Sequence, residues 1–208
     1  MTSKHSPARR TVAVAAAGAA AFVLAACGGG TDTPNAHDGH PAPSPSAATS
    51  VPQGRHNAAD VTFAKGMIPH HRQAVEMAEL AAARAESAEV RKLAEDIRKA
   101  QGPEIRTLSG RLSSWGEDVP AEGSADHAAH GAEGMMSPRE MARLEKSSGA
   151  AFDTAFMELM IVHHEGAVAM AEAERAGGAD AATKRMAGDI VTAQTAEISL
   201  MRKLLGRG

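Results

Sequence analysis

The sequence has few aromatic residues and almost no cysteine. Its 208 residues include one Cys, one Trp, four Phe and no Tyr. A single cysteine excludes an internal disulfide framework and any zinc or iron–sulfur site built on several thiolates. The scarcity of aromatic side chains and the net charge of −3 argue against binding of nucleic acid by base stacking or through a basic surface. We therefore expect no nucleic-acid partner.

Residues that favour strands are also scarce. Val, Ile, Tyr, Phe and Thr are outnumbered by Ala, Leu, Met, Glu, Arg and Lys, which favour helix. Once the N-terminal segments described below are set aside, about 150 residues remain, enough for one domain with a hydrophobic core. The composition therefore predicts a single, helical domain.

The N-terminus has the pattern of a bacterial lipoprotein signal. Basic residues Lys4, Arg9 and Arg10 precede an uncharged run, residues 11–26, that is short for a membrane span. The run ends in Leu-Ala-Ala-Cys, which resembles a lipobox, where cleavage before the cysteine leaves Cys27 to carry the lipid. Two acyl chains anchor a protein stably in a bilayer. The alternative is a core cysteine that follows alanines by chance, and Sec and twin-arginine export both stay open.

Three regions follow from this interpretation. Residues 1–26 are the predicted signal peptide, and residues 27–56 are the lipid anchor with a flexible tether rich in Gly, Pro, Ser, Thr and Ala. Residues 57–208 form the predicted domain. We expect the protein at the cell membrane, attached through its N-terminal lipid on the extracytoplasmic face.

The domain contains an internal repeat. Residues 60–112 align without a gap with residues 153–205, at a constant offset of 93 positions, and residues 113–152 link the two units. The aligned identities include Phe63 and Phe156, Met67 and Met160, His70 and His163, His71 and His164, Ala74 and Ala167, Met77 and Met170, and Glu104 and Glu197. Such agreement indicates a duplicated unit.

Each unit is predicted to fold as two helices. Apolar residues recur at steps of three and four, with breaks at residues 85–87 and 177–180. In the linker, the Ser-Pro-Arg-Glu sequence at Ser137 resembles a capping box and predicts a short helix through Lys146. Two hairpins that cover each other's apolar faces make a four-helix bundle. The expected fold class is therefore all-α, with two duplicated helical hairpins and a short extra helix in the long connection.

The strongest functional signal is a pair of adjacent histidines in the first helix of each unit. The motif Met-x2-His-His-x5-Met occurs twice, with its histidines on the apolar stripe. Its residues are Met67, His70, His71 and Met77, and Met160, His163, His164 and Met170. If the two first helices face each other, four imidazoles and two to four thioethers converge. Imidazole with thioether suits copper, and Cu(I) in particular, because thioether sulfur is a soft ligand.

Two other interpretations of these histidines stay open. Zinc is an alternative metal, because four imidazoles can hold Zn²⁺ while the methionines act only as packing. The histidines can also be hydrogen-bonding core residues of an envelope structural or interaction module that binds no metal. The linker adds His127 and His130, in a His-Ala-Ala-His sequence, as a secondary candidate metal pair.

No enzymatic site is recognisable. A di-iron oxidase in a helical bundle needs paired inward Glu residues and Glu-x-x-His ligands. No Glu stands three residues before any paired histidine, and Glu104 and Glu197 have no His three residues later. The sequence after His164 lacks the second His of a zincin motif. We therefore expect no enzyme.

Two sequence patterns resemble a known bacterial family. Phe-x3-Met-Ile-x-His-His-x2-Ala-x2-Met-Ala starts at Phe63 and again at Phe156, and Gly-Met-Met-Ser-x2-Glu-Met-x2-Leu starts at Gly134. Over roughly residues 57–206 the chain resembles domain-of-unknown-function family 305 (DUF305). The resemblance implies a ferritin-like bundle, export from the cytoplasm and, in some members, copper binding or copper tolerance. The resemblance also implies that the eight motif residues are metal ligands.

The expected function is therefore copper binding by an exported lipoprotein, for metal sequestration, tolerance or delivery. A copper donor or acceptor protein is the expected partner, and the sequence leaves a homo-oligomer open. The first unit has Gly66 and Pro69 where the second has Leu159 and Val162. We therefore expect the two half-sites to differ.

Overall fold

A computed structural model of the chain describes residues 55–122 and 133–206. Several predicted features lie outside these residues. They are the signal peptide, Cys27 with its lipid, all but the last two residues of the tether, and the linker histidines His127 and His130. These features stay predictions.

Every regular element in the described part of the chain is an α-helix. The helices are α1 (Ala58–Arg84), α2 (Ala88–Trp115), α3 (Pro138–Lys146), α4 (Gly149–Gly177) and α5 (Ala181–Leu204). Helices α1 and α2 form one antiparallel hairpin, α4 and α5 form the other, and α3 lies in the connection. The all-α bundle and its short linker helix are confirmed. None of these helices is both long enough and apolar enough to cross a membrane.

The local sequence explains where the helices begin. Ser87 precedes α2 and accepts two backbone N–H bonds from its first turn, and Asp180 accepts the N–H of Thr183 at 2.7 Å at the start of α5. Ser137 and Glu140 form the predicted capping box of α3. These caps satisfy backbone donors that a helix leaves unpaired at its N-terminus.

Two prolines lie inside the helices of the first hairpin. Helix α1 continues through Pro69 and helix α2 continues through Pro103. A proline has no N–H for the carbonyl four residues earlier, so each helix lacks one bond of its ladder at this point. The sequence predicts a kink or a freed carbonyl at these positions, and the helices tolerate the missing bond without ending.

Helices α1 and α4 pack antiparallel and join the two hairpins. A Cβ placed on Gly66 would lie 3.6 Å from the Sδ of Met170, and the ring centroids of His70 and His163 are 3.7 Å apart. Buried apolar residues form two clusters, one toward each end of the bundle. Along both α1 and α4 the histidines lie between these clusters.

Each hairpin also holds the turn of the other. Asp60 of α1 accepts the backbone N–H groups of residues 179–180, in the α4–α5 turn, at 3.0 and 2.9 Å. Asp153 of α4 accepts those of residues 86–87, in the α1–α2 turn, at 3.1 and 2.7 Å. We call these two contacts the cross-braces. Hydrogen bonds to a charged group contribute roughly 1.5–3 kcal/mol each, so the cross-braces fix the two hairpins relative to each other.

Candidate metal centre

The four motif histidines form one buried layer at the junction of the hairpins. His70, His71, His163 and His164 all have no solvent-exposed surface. His70 on α1 and His163 on α4 face each other with their rings tilted by 43°. The rings of His163 and His164 have centroids 6.4 Å apart. We call this set the histidine layer. It confirms that the first helices of the two hairpins face each other.

The other two histidines contact a carboxylate within their own hairpin. His71 Nε2 donates a hydrogen bond to Glu104 Oε2 on α2 at 2.7 Å. His164 Nε2 donates to Glu197 Oε2 on α5 at 2.6 Å. The two contacts join residues that differ by the same offset of 93 positions. Each hairpin therefore contributes one histidine to the inter-hairpin contact and a second histidine to a carboxylate pair.

The end of the linker passes directly over the α1–α4 pair. The carbonyl oxygen of Glu133 lies 3.3 Å from His70 Nε2 and accepts its hydrogen bond. Gly134 has a φ of 84° and sits against the backbone of α4, where a Cβ on it would be 2.7 Å from the Val162 carbonyl oxygen. Gly166 of α4 leaves room for this part of the linker, because a Cβ at this position would overlap the Glu133 carbonyl. We call residues 133–136 the crossing segment.

A glutamine of α1 fixes the other end of the crossing segment. The side chain of Gln73 accepts the N–H of Met136 at 2.7 Å and donates to its carbonyl oxygen at 2.9 Å. This paired contact satisfies the Met136 backbone as a neighbouring strand would. Gln73 and Gly166 occupy equivalent positions in the two repeat units. Gln73 binds the crossing segment through its side chain, whereas Gly166 leaves room for the segment because it has no side chain.

Burial keeps the two facing imidazoles neutral. It lowers the pKa of His70 to about 3, with further lowering by His71 and His164 and an opposing effect of the Glu133 carbonyl. Burial also lowers the pKa of His163 well below its ordinary value, and the other three histidines lower it further. A charged imidazole is disfavoured in a low-dielectric site beside other positive charge. Neutral imidazole is the form that binds metals.

The layer has nitrogen atoms with lone pairs to offer. The Nδ1 atoms of all four histidines, and the Nε2 of His163, have no hydrogen-bond partner among the described residues. Buried polar atoms without a partner are rare in folded proteins and call for an explanation. Unpaired imidazole nitrogens in a buried layer fit a transition metal ion with nitrogen ligands.

The histidines do not stand in a finished metal-binding arrangement. Within residues 55–122 and 133–206, no three His, Cys, Asp or Glu side chains converge on one point as metal ligands would. Ligation by the layer would therefore involve side-chain rotation, a thioether ligand, or both. The assignment of individual ligands stays a prediction.

The motif methionines lie on both sides of the histidine layer. Met77 and Met160 belong to one hydrophobic cluster, and Met67 belongs to the other, with Met170 packed against it. The first three are fully buried, and Met170 is partly buried. Thioether sulfur is therefore present in the core on both sides of the histidine layer. The same methionine side chains also contribute to packing.

Sequence reasoning missed the contacts of the histidines. Glu104 and Glu197 recur in the repeat, but their spacing in the sequence does not by itself pair them with His71 and His164. The available signal was their shared separation of 33 residues from these histidines. Gln73 gave no such signal, because the equivalent position of the second unit is Gly166.

Comparison with known proteins now places the chain. Residues 60–205 match the family described as Domain of unknown function (DUF305). The chain belongs to the DUF305 family. This match covers both hairpins, the crossing segment and α3, and it confirms the family that the repeated histidine motifs suggested. None of the curated proteins matches the chain.

Solved DUF305 structures share this fold. A DUF305 fragment from Deinococcus radiodurans is 34% identical, covers 73% of this chain and 98% of its own, and has a TM-score of 0.64. A DUF305 protein from Streptomyces coelicolor is 33% identical over 71% of this chain and 91% of its own, with a TM-score of 0.63.

A third similar structure is CopM in a Cu(I)-bound form. It is 31% identical, covers 70% of this chain and 94% of its own, and has a TM-score of 0.59. CopM has also been solved in Cu(II)-bound and Ag-bound forms. A DUF305 bundle related to this one therefore binds copper.

Proposed function

We propose that this protein is an exported lipoprotein that binds copper, with Cu(I) favoured, at the histidine layer and its flanking methionines. The observation that carries the proposal is the set of buried imidazole nitrogens that have no partner among the described residues. His70, His71, His163 and His164 would supply nitrogen, and the motif methionines would supply sulfur. A bound ion would give these nitrogen atoms the partners that the protein itself does not provide.

Similar proteins support both the metal and the location. CopM binds Cu(I), Cu(II) and silver. Silver and Cu(I) are both soft monovalent ions that prefer sulfur and imidazole. The Streptomyces coelicolor relative is described as a secreted protein, which fits the predicted signal peptide and lipid attachment at Cys27.

The chemistry of the layer fits storage or transfer of an ion. We propose metal sequestration, tolerance or delivery, with a copper donor or acceptor protein as partner and with no catalysis on an organic substrate. Imidazole and thioether ligands hold Cu(I) without a thiol that oxidation could destroy.

Titration of the purified protein with Cu(I) under anaerobic conditions, against a competing chelator, tests the proposal. We expect binding tighter than micromolar and an increase in melting temperature, because a ligand at a hundred times its Kd stabilises a fold by about 2.7 kcal/mol. His71→Ala with His164→Ala should abolish most of this binding. His56→Ala is the matched control, because His56 is exposed and stacks on Trp115 away from the layer.

A second pair of variants separates copper from zinc. Met67→Leu with Met160→Leu keeps the apolar volume but removes two thioethers, so it should weaken Cu(I) binding and leave any Zn²⁺ binding unchanged. Met141→Leu with Met201→Leu is the control, because these buried methionines lie outside the motifs. A wild-type protein whose folding and stability respond to no metal would contradict the proposal and favour the structural module.

A further inference from the structure

Each carboxylate that contacts the histidine layer lies on the helix that follows the helix of its histidine. We propose that Glu104 and Glu197 are positioning residues that select Nδ1 of His71 and His164 as the metal-binding nitrogen. This inference rests on the proposed function and adds to it which atom binds and which residues decide that. The Glu residues themselves would not contact the ion.

The position of the proton follows from the nature of the acceptor. An ionised carboxylate can only accept a hydrogen bond, so the nitrogen that contacts it must carry the hydrogen. Glu104 lies 2.7 Å from His71 Nε2, and Glu197 lies 2.6 Å from His164 Nε2. These short distances are typical of hydrogen bonds to a charged acceptor. Both imidazoles are therefore held as the Nε2–H form.

The opposite nitrogen of each ring is then left with its lone pair. Nδ1 of His71 and Nδ1 of His164 are buried and have no partner among the described residues. The other tautomer would break the bond to the carboxylate and bury an Nδ1–H with no acceptor. Leaving a buried donor unpaired is unfavourable, so the carboxylate contact strongly favours one tautomer.

The carboxylates are placed at the outer side of the layer. The side chains of Glu104 and Glu197 are 23% and 21% exposed, while those of His71 and His164 are fully buried. Neither carboxylate forms an ion pair with a lysine or arginine within the described residues. Their negative charges are therefore available to offset the charge of a cation held on the inner side of the two rings.

The other two histidines lack this arrangement. His70 Nε2 donates to a neutral carbonyl at the longer distance of 3.3 Å, and His163 contacts no carboxylate within the described part of the chain. Histidine ligands in metal proteins almost always donate their second N–H to a carboxylate, a carbonyl or water, which fixes the ring and increases its basicity. His71 and His164 are thus the pair that the protein has oriented by charge.

NMR of the metal-free protein, uniformly labelled with ¹⁵N, tests the tautomers directly. Long-range ¹H–¹⁵N correlations report which ring nitrogen is protonated. We expect His71 and His164 to be Nε2–H in the wild type. Glu104→Gln should shift His71 toward a mixture of tautomers and leave His164 unchanged, because an amide can either accept or donate. Glu197→Gln should do the reverse.

Cu(I) affinity measured by chelator competition supplies the second readout. Each Gln variant should weaken Cu(I) binding 10- to 100-fold, the usual range for loss of a group that orients a metal ligand. Glu104→Asp should recover part of the loss, because it retains a carboxylate. Glu117→Gln is the matched control, because Glu117 is a carboxylate that contacts α1 through Lys65 and touches no histidine. Circular dichroism of each variant verifies that the helices are retained.

The possible results separate this inference from the proposed function. Wild-type Nδ1–H tautomers at His71 and His164, or wild-type Cu(I) affinity in both folded Gln variants, would overturn the positioning role while copper binding stands. A wild-type protein that binds no Cu(I) would overturn the proposed function and the positioning role together. Shifted tautomers with weakened Cu(I) binding would support both.

Discussion

The two hairpins carry the same histidines and carboxylates, but a single chain segment covers the junction between them. Glu133 contacts His70 of α1, and the same segment packs on Gly166 of α4. His163 corresponds to His70 in the repeat and has no such partner within the described residues. The two halves of the layer are therefore chemically alike and differently covered.

This difference shows why duplicated units diverge where they do. One segment that crosses between two related helices cannot make the same contact with both. At one pair of related positions, the first hairpin has Gln73, which holds the segment, and the second has Gly166, which gives it room. His71, His164 and their carboxylates lie where each hairpin contacts only itself, so their contacts are repeated without change.

The largest expected effect comes from removing a cross-brace. Asp60 accepts three backbone N–H bonds, one from Asn57 and two from the opposite turn, whereas Asp153 accepts two. We expect Asp60→Ala to lower the free energy of unfolding by about 3 kcal/mol and Asp153→Ala to lower it by about 2 kcal/mol. Urea denaturation followed by circular dichroism measures both.

The exposed Asp96 provides the control for this comparison. It pairs with Lys92 one turn earlier on the surface of α2, so Asp96→Ala should cost less than about 0.5 kcal/mol. A loss from Asp60→Ala no greater than that from Asp96→Ala would contradict the role given to the cross-braces.

A smaller effect is expected where the crossing segment meets α4. Gly166→Ala places a Cβ against the Glu133 carbonyl and 2.8 Å from the Gly134 Cα. Overpacking of this kind costs roughly 1–3 kcal/mol, and it should outweigh the gain in helix propensity. The melting temperature should therefore fall.

Gly110→Ala tests the same substitution in open space. A Cβ at Gly110 of α2 meets nothing within 4 Å, so this variant should gain about 0.5–1 kcal/mol. An increase in melting temperature in both variants would show that the crossing segment yields easily and does not constrain α4.

The last effect is a dependence on pH that comes from Glu174 of the second hairpin. Glu174 is buried where the first hairpin has Ala81, and burial, followed by the nearby Asp60 carboxylate, raises its pKa from 4.5 to about 8. Asp180 acts in the same direction and Lys184 opposes it. Because the folded state holds the proton more tightly, the stability that Glu174 contributes is complete below pH 4.5 and is lost as the pH rises through about 8.

Glu174→Gln removes this titration. The variant should melt at a higher temperature than the wild type at pH 8.5 and at nearly the same temperature at pH 5, as measured by calorimetry. A difference that is equal at the two pH values would mean that Glu174 does not change its protonation state in this range, which would contradict the raised pKa.

Much of the fold followed from local sequence signals. The Ser137–Glu140 capping box acts within one helical turn, so the sequence pattern was enough to predict it. The cross-braces of Asp60 and Asp153 join residues far apart in the chain, and their partners are backbone groups that every residue has. Asp60 and Asp153 occupy equivalent positions of the repeat, but this identity does not indicate which backbone groups they bind.

The sequence also predicted the histidines of the candidate site, but not their contacts. The spacing of the repeated histidines on an apolar face predicted that they are functional candidates. The structure brings all four together in one buried layer. Their pairing with Glu104 and Glu197 depends on how far each hairpin's helices slide past each other, which periodicity does not specify. Which atoms bind metal, and the lipid attachment at Cys27, stay predictions.

The cross-braces have a further consequence for how the two halves associate. Each hairpin contains one bracing aspartate and one turn with two backbone N–H donors. The aspartate of each hairpin accepts hydrogen bonds from the turn of the other hairpin and not from its own. This is the geometry of a homodimer joined into one polypeptide. Joining replaces an encounter between two molecules by an intramolecular one at a fixed effective concentration. The pairing of the histidines therefore does not weaken when the protein is dilute.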